Sequence, residues 1–114
     1  MVEPILIGQG ETMDKRAMFK DAIERNPEDP FPHYALAIEN REAGETELAL
    51  DGLKAVRERF PDYVATYLHL GGLLVDNDEV EFAKQIYQEG MQKAQAAGDA
   101  HAFSELQGAY AMIE

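Results

Sequence analysis

Residues 64–97 read VATYLHLGGLLVDNDEVEFAKQIYQEGMQKAQAA. Tyr67, Leu70, Leu73 and Leu74 recur at a spacing that lays them along one stripe of a helix. Asp76-Asn77-Asp78 breaks the pattern, and Val80, Ala83, Ile86, Tyr87 and Met91 resume it in a second helix. Asp78 reads as the N-cap of that second helix, with Glu81 as the other half of a capping box. Gly71, Ala83 and Gly90 bring almost no side chain to the pair. A glycine inside a helix costs about 1 kcal/mol relative to alanine. Close approach of two helix backbones must offset that cost. No useful apolar–polar alternation occurs, so no strand is expected.

The same arrangement stands one unit upstream, in residues 30–63. After Pro30-Phe31-Pro32, the residues Tyr34, Leu36, Ala37, Ile38 and Ala43 make a short helix that stops at Gly44. Thr46 is placed to cap the next helix, which contains Leu48, Ala49, Leu53 and Val56. Pro27 and Pro61 lie 34 residues apart, and each ends a charged amphipathic stretch. Further upstream, Met18, Phe19, Ala22 and Ile23 mark the apolar side of another helix, with Asp14 as its N-cap. After Ala97-Gly98-Asp99, a last helix carries Phe103, Leu106, Tyr110 and Ile113. The expectation is an all-α chain of about six helices, each of roughly 11–18 residues, joined by short turns into antiparallel pairs.

These residues resemble the tetratricopeptide repeat family, whose unit of about 34 residues is a helix–turn–helix with small residues at the helix contact and a closing proline. In residues 30–63 the resemblance rests on Leu36, Ala37, Gly44, Ala49, Leu53 and Pro61. In residues 64–97 it rests on Tyr67, Leu70, Gly71, Ala83, Tyr87 and Gly90. Phe19, Ala22 and Pro27 match only the second helix of a unit. The chain departs from the pattern at His33, at Asn40 and at Gln95, which replaces the closing proline. The resemblance implies a right-handed superhelix of stacked helix pairs. It divides the chain into a leader (1–13), a half repeat (14–29), two repeats (30–63 and 64–97) and a capping helix (98–114). Residues 14–114 would then form a single domain of the family.

Composition narrows the function. Hydrophobic residues make up 46% of the 114 residues, enough for a folded core. The absence of cysteine removes disulfides, thiolate metal sites and cysteine nucleophiles. A net charge of −12 disfavours nucleic acid and anionic membrane surfaces as partners. No apolar run approaches the roughly 18 residues that span a bilayer. Pro4-Ile5-Leu6-Ile7 is too short for a secretory signal, follows Glu3 and has no basic residue near it. A cytoplasmic location is the expectation.

Little in the chain can carry chemistry. His33, His69 and His101 are more than 30 residues apart and form no ligand-spaced cluster. Asp76-Asn77-Asp78 opens like a calcium loop, but Glu81 stands where that loop needs glycine and Tyr87 where it needs glutamate. The glycine pair Gly71-Gly72 sits inside a helix and cannot cradle phosphate, and Ser104, the one serine, has no nucleophile context. No enzyme activity, cofactor or metal is expected.

The family resemblance places a concave binding face on the first helix of each pair. Carried over by position, its lining is Phe31, Tyr34, Ile38 and Arg41 from one repeat, and Leu68, His69, Gly72 and Val75 from the next. Some family members grip a terminal carboxylate there with lysine, arginine and asparagine. Tyr34, Ile38, Leu68, His69 and Gly72 hold those places in this chain, so a carboxylate clamp is not expected. An apolar and aromatic groove suits a helix or an extended apolar segment of a protein or peptide partner. The alternative is a self-association module, with the groove filled by Pro4-Ile5-Leu6-Ile7 or by a second subunit in a homodimer. Charge is uneven: residues 62–114 hold 9 acids and 2 bases, against 11 and 8 in residues 14–61. That excess reads either as steering of a basic partner or as adaptation to a salty medium.

Overall fold

A computed structural model describes residues 15–114. Among these residues there are six helices and no strand, as the periodicity predicts. They are α1 (Arg16–Arg25), α2 (Pro30–Glu42), α3 (Thr46–Arg59), α4 (Ala65–Asp76), α5 (Val80–Ala97) and α6 (Ala100–Ala111). The chain divides into two compact units, one running through Ala49 and the other Leu50–Glu114, with the division falling inside α3.

In the first unit, α2 starts at Pro30 and not after Pro30-Phe31-Pro32 as expected, because the first turn of a helix accepts proline. Pro30 takes the first helical position, where no N–H is needed, and the Asp29 side chain accepts from the Phe31 N–H at 3.1 Å. The helix closes when the Glu45 N–H reaches the Asn40 carbonyl at 2.8 Å, with Gly44 at φ +83°. α2 packs on α1. The Phe19 and Phe31 rings meet edge to face at 6.2 Å, and Arg16 Nη1 donates to Asn40 Oδ1 at 3.0 Å. Asn40 is therefore polar for a reason: it receives a guanidinium from the neighbouring helix. His33 Nε2 donates to the Pro27 carbonyl at 2.9 Å, which ties the α1–α2 turn to the start of α2.

In the second unit, α4 packs on α5, α5 on α6, and α4 also reaches α6. Leu53, Tyr67, Leu70, Leu74, Ala83, Ile86 and Leu106 are fully or almost fully buried. Two tyrosines lie against two glycines across the α4–α5 contact. A Cβ on Gly71 would overlap the Tyr87 ring, and one on Gly90 would stand 2.5 Å from Tyr67 Cβ and 3.1 Å from Leu106 Cδ2. The glycines thus let the two helices exchange aromatic side chains in both directions, the close approach that their cost requires. Gly98, at φ +70°, ends α5, and Asp99 caps α6 by accepting from the Ala102 N–H at 3.0 Å.

Several local expectations need correction. Thr46 is already the first residue of α3, and the Ala49 N–H bonds to the Glu45 carbonyl, so Glu45 is the half-in residue. Asp78 is not a cap. It takes φ +62° to turn the chain out of α4, and Glu79 precedes α5 with no side-chain cap. The turn needs a left-handed residue, no glycine is present from 76 to 79, and aspartate tolerates that conformation. Met18 (59% exposed) and Leu48 (53%) stay in solvent. Each precedes a buried or half-buried neighbour by one residue, which rotates it about 100° off the packed arc. Asp14 and the leader lie outside the described residues.

Candidate functional site

α4 presents two unlike faces. Thr66, Tyr67, Leu70, Gly71, Leu73 and Leu74 are buried, whereas Leu68, His69, Gly72 and Val75 are partly exposed. With Ala65 and Asp76, both exposed, these four fall on one stripe spanning about 120° of the helix. From Ala65 to Val75 the helix carries no aspartate, glutamate, lysine or arginine. A helix that is uncharged on its open side as well as its packed side has the character of an element meant to be covered. Gly72 sits in the middle of the stripe, and a Cβ built on it would lie 3.9 Å from the Tyr87 hydroxyl. That hydroxyl therefore underlies the open face at Gly72.

On α2 of the first unit, Tyr34, Ile38 and Arg41 recur at four- and three-residue steps and are half-buried on one face. Phe31 precedes Tyr34 by three and is 50% exposed, but part of its ring is already engaged edge-on by Phe19. The structure thus groups the eight expected lining residues into two faces, one on α2 and one on α4.

Sequence reasoning missed a polar cluster on the second unit. Arg57 Nε and Nη2 donate to Glu89 Oε1 at 3.0 and 2.7 Å. The Tyr67 hydroxyl donates to the Pro61 carbonyl at 2.6 Å, with Glu89 Oε2 at 3.2 Å. Lys93 Nζ pairs with Asp62 Oδ1 at 3.1 Å. Burial, followed by the Glu89 carboxylate, raises the Tyr67 pKa above its ordinary value. These groups join the α3–α4 turn to α5, so the cluster positions elements and offers no acid–base pair to a substrate. No local signal could have found it, since the partners are 22 and 32 residues apart. A shallow hollow of about 290 Å³ lies at the α5–α6 turn, lined by Ala94, Gln95, Gly98, Asp99, Ala100 and Phe103.

Among the described residues, no three His, Asp or Glu side chains are grouped to hold a metal ion. None of the described helices is long and apolar enough to cross a membrane.

Paired helices with short turns, glycines at the helix contacts and an uncharged open face on a first helix define a helical-repeat protein. No protein-family model and no curated protein matches the chain. Solved structures do. A solution NMR structure of a tetratricopeptide repeat domain protein from Salinibacter ruber is 39% identical, with a TM-score of 0.74, over 78% of this chain and 90% of that one. A crystal structure of a tetratricopeptide repeat domain protein from the same organism is 38% identical, with a TM-score of 0.72, over 75% of this chain and 94% of that one. The chain belongs to the tetratricopeptide repeat family.

Proposed function

We propose that this chain is a non-catalytic, cytoplasmic protein-interaction module that binds an apolar peptide or helix on the open faces of its first helices. The repeats would be 30–63 and 64–97, preceded by the half repeat 14–29 and closed by the helix in 98–114. Phe31, Tyr34, Ile38 and Arg41 would contribute from α2, and Leu68, His69, Gly72 and Val75 from α4. The observation that carries the reading is the uncharged open side of α4 from Ala65 to Val75, in a chain with a net charge of −12. Exposed surface without charge is costly in so acidic a protein unless something covers it. The alternative occupant, Pro4-Ile5-Leu6-Ile7, lies outside the described residues.

The test is a pull-down with the intact chain beside a Tyr34→Ala plus Leu68→Ala variant, both checked for native helicity. Both side chains are half-buried on the open faces, so the fold should survive the change. The variant should lose the partners that the intact chain retains. Equal recovery of every partner by both proteins would remove the groove from the account.

A further inference from the structure

Packing and backbone geometry account for several glycines of this chain, and Gly72 is not among them. Gly44 and Gly98 take positive φ at helix ends. Gly71 and Gly90 lie where a Cβ would collide with a tyrosine of the facing helix. Gly72 stands inside α4 without a positive φ. A Cβ built on it would meet only the Tyr87 hydroxyl, at the ordinary van der Waals separation of 3.9 Å. Alanine would therefore fit at this position and would favour the helix. Glycine costs the helix stability here, and no contact inside the second unit requires it.

Gly108 on α6 is unforced in the same way. Its neighbours one turn away, Ser104, Glu105, Ala111 and Met112, are all exposed, and two of them are small. The missing side chain there leaves open surface. Gly72 has Leu68, His69 and Val75 one turn away, all three half-buried. The missing side chain therefore leaves a notch, walled by Leu68 and His69 toward the start of α4 and by Val75 toward its end. Tyr87, 4% exposed, closes the notch from below with its hydroxyl.

We propose that Gly72 is the specificity-determining residue of the α4 face, and that its notch takes the tip of a branched aliphatic side chain of leucine size from the bound segment. The proposal rests on the reading of α4 as a binding face and adds to it the side chain that this face selects. A methyl group can descend to about the place of the missing Cβ and no deeper, because the Tyr87 hydroxyl lies 3.9 Å from that place. An alanine at position 72 would occupy the same space, so the two exclude each other. A leucine seated there buries apolar area against Leu68 and Val75, whereas an alanine in the partner stops short of both walls. This is a knob entering a hole, with the hole made by one absent side chain.

The experiment uses the full chain and two synthetic amphipathic helical peptides that differ only at the centre of their apolar side, leucine in one and alanine in the other. The leucine peptide should bind about tenfold more tightly. Nuclear Overhauser contacts from its central leucine methyls should reach the Gly72 Hα and the Leu68 and Val75 methyls. Gly72→Ala should raise the melting temperature by a few degrees and yet bring the two affinities within about twofold of each other. Gly108→Ala should raise the melting temperature similarly and keep the full preference for leucine. A fall in melting temperature or loss of the fold in Gly72→Ala would overturn the inference, since the glycine would then be required by the chain itself. A preference for leucine that survives Gly72→Ala would overturn it too and leave the apolar face standing. Binding of neither peptide to the unaltered chain would remove the binding face together with the inference.

Discussion

Thr66 is fully buried, and its hydroxyl has no hydrogen-bond partner among the described residues. A buried hydroxyl without a partner costs about 1–3 kcal/mol. Thr66→Val keeps the branched shape and removes that cost, so the urea midpoint should rise by the equivalent of about 1 kcal/mol. A fall would mean that the hydroxyl has a bound partner after all. Tyr67, in the next position, is the opposite case: fully buried and satisfied by the Pro61 carbonyl. Burial and the neighbouring Glu89 carboxylate raise its pKa, so the folded chain keeps a proton that the unfolded chain releases near pH 10. More protons on the folded state means that stability falls as pH climbs past about 10. Tyr67→Phe should flatten that alkaline decline while losing about 1 kcal/mol at neutral pH. Unfolding curves from about pH 8 to pH 11 would show it, and an unchanged alkaline slope would count against the assignment.

At the scale of the helix, two glycines that look alike in sequence do different work. Gly71 faces the Tyr87 ring with no room for a Cβ, whereas Gly108 has nothing within 4 Å of that position. Gly71→Ala gains about 1 kcal/mol of helix propensity but forces an aromatic ring out of a packed contact, a change that costs about 1–3 kcal/mol or more. Its melting temperature should fall. Gly108→Ala gains the propensity with no clash and should raise the melting temperature by a few degrees. Shifts of the same sign in both variants would show that the α4–α5 approach is not what requires Gly71. The α4–α5 turn follows similar logic: with no glycine available, Asp78 supplies the left-handed residue that ends α4.

For the molecule as a whole, 22 acids against 10 bases leave a net charge of −12. Raising sodium chloride from about 0.01 M to about 1 M shortens the screening length from about 30 Å to about 3 Å. Self-repulsion then weakens, and the melting temperature should rise with salt. Ion pairs work in the other direction. Arg57–Glu89 and Lys93–Asp62 would be weakened by the same salt, but both are partly exposed and each contributes little. A flat or falling curve would mean that such pairs outweigh the repulsion. The same titration bears on salt adaptation: a protein that unfolds below molar salt has its carboxylates for that purpose, and one that is stable at low salt does not.

Helix ends were legible where glycine and short-range chemistry set them: Gly44 ends α2, and Gly98 with Asp99 separates α5 from α6, each through backbone bonds spanning only a few residues. Helix starts were not: α2 begins at Pro30 under Asp29 and not after Pro32, and neither Thr46 nor Asp78 is the cap that its position suggests. The open side of α4 was legible for a related reason: once Tyr67, Leu70, Leu73 and Leu74 are assigned to the core, helical geometry leaves Leu68, His69, Gly72 and Val75 on the other side. The seating of Tyr87 on Gly71, the reach of Arg57 and Tyr67 to Glu89 and the engagement of Phe31 by Phe19 could not be read this way. A residue's spacing in the chain says which way its side chain points. Which distant side chain it meets depends on the register in which whole helices come to rest against each other, and that register is chosen by the fit of all their side chains together.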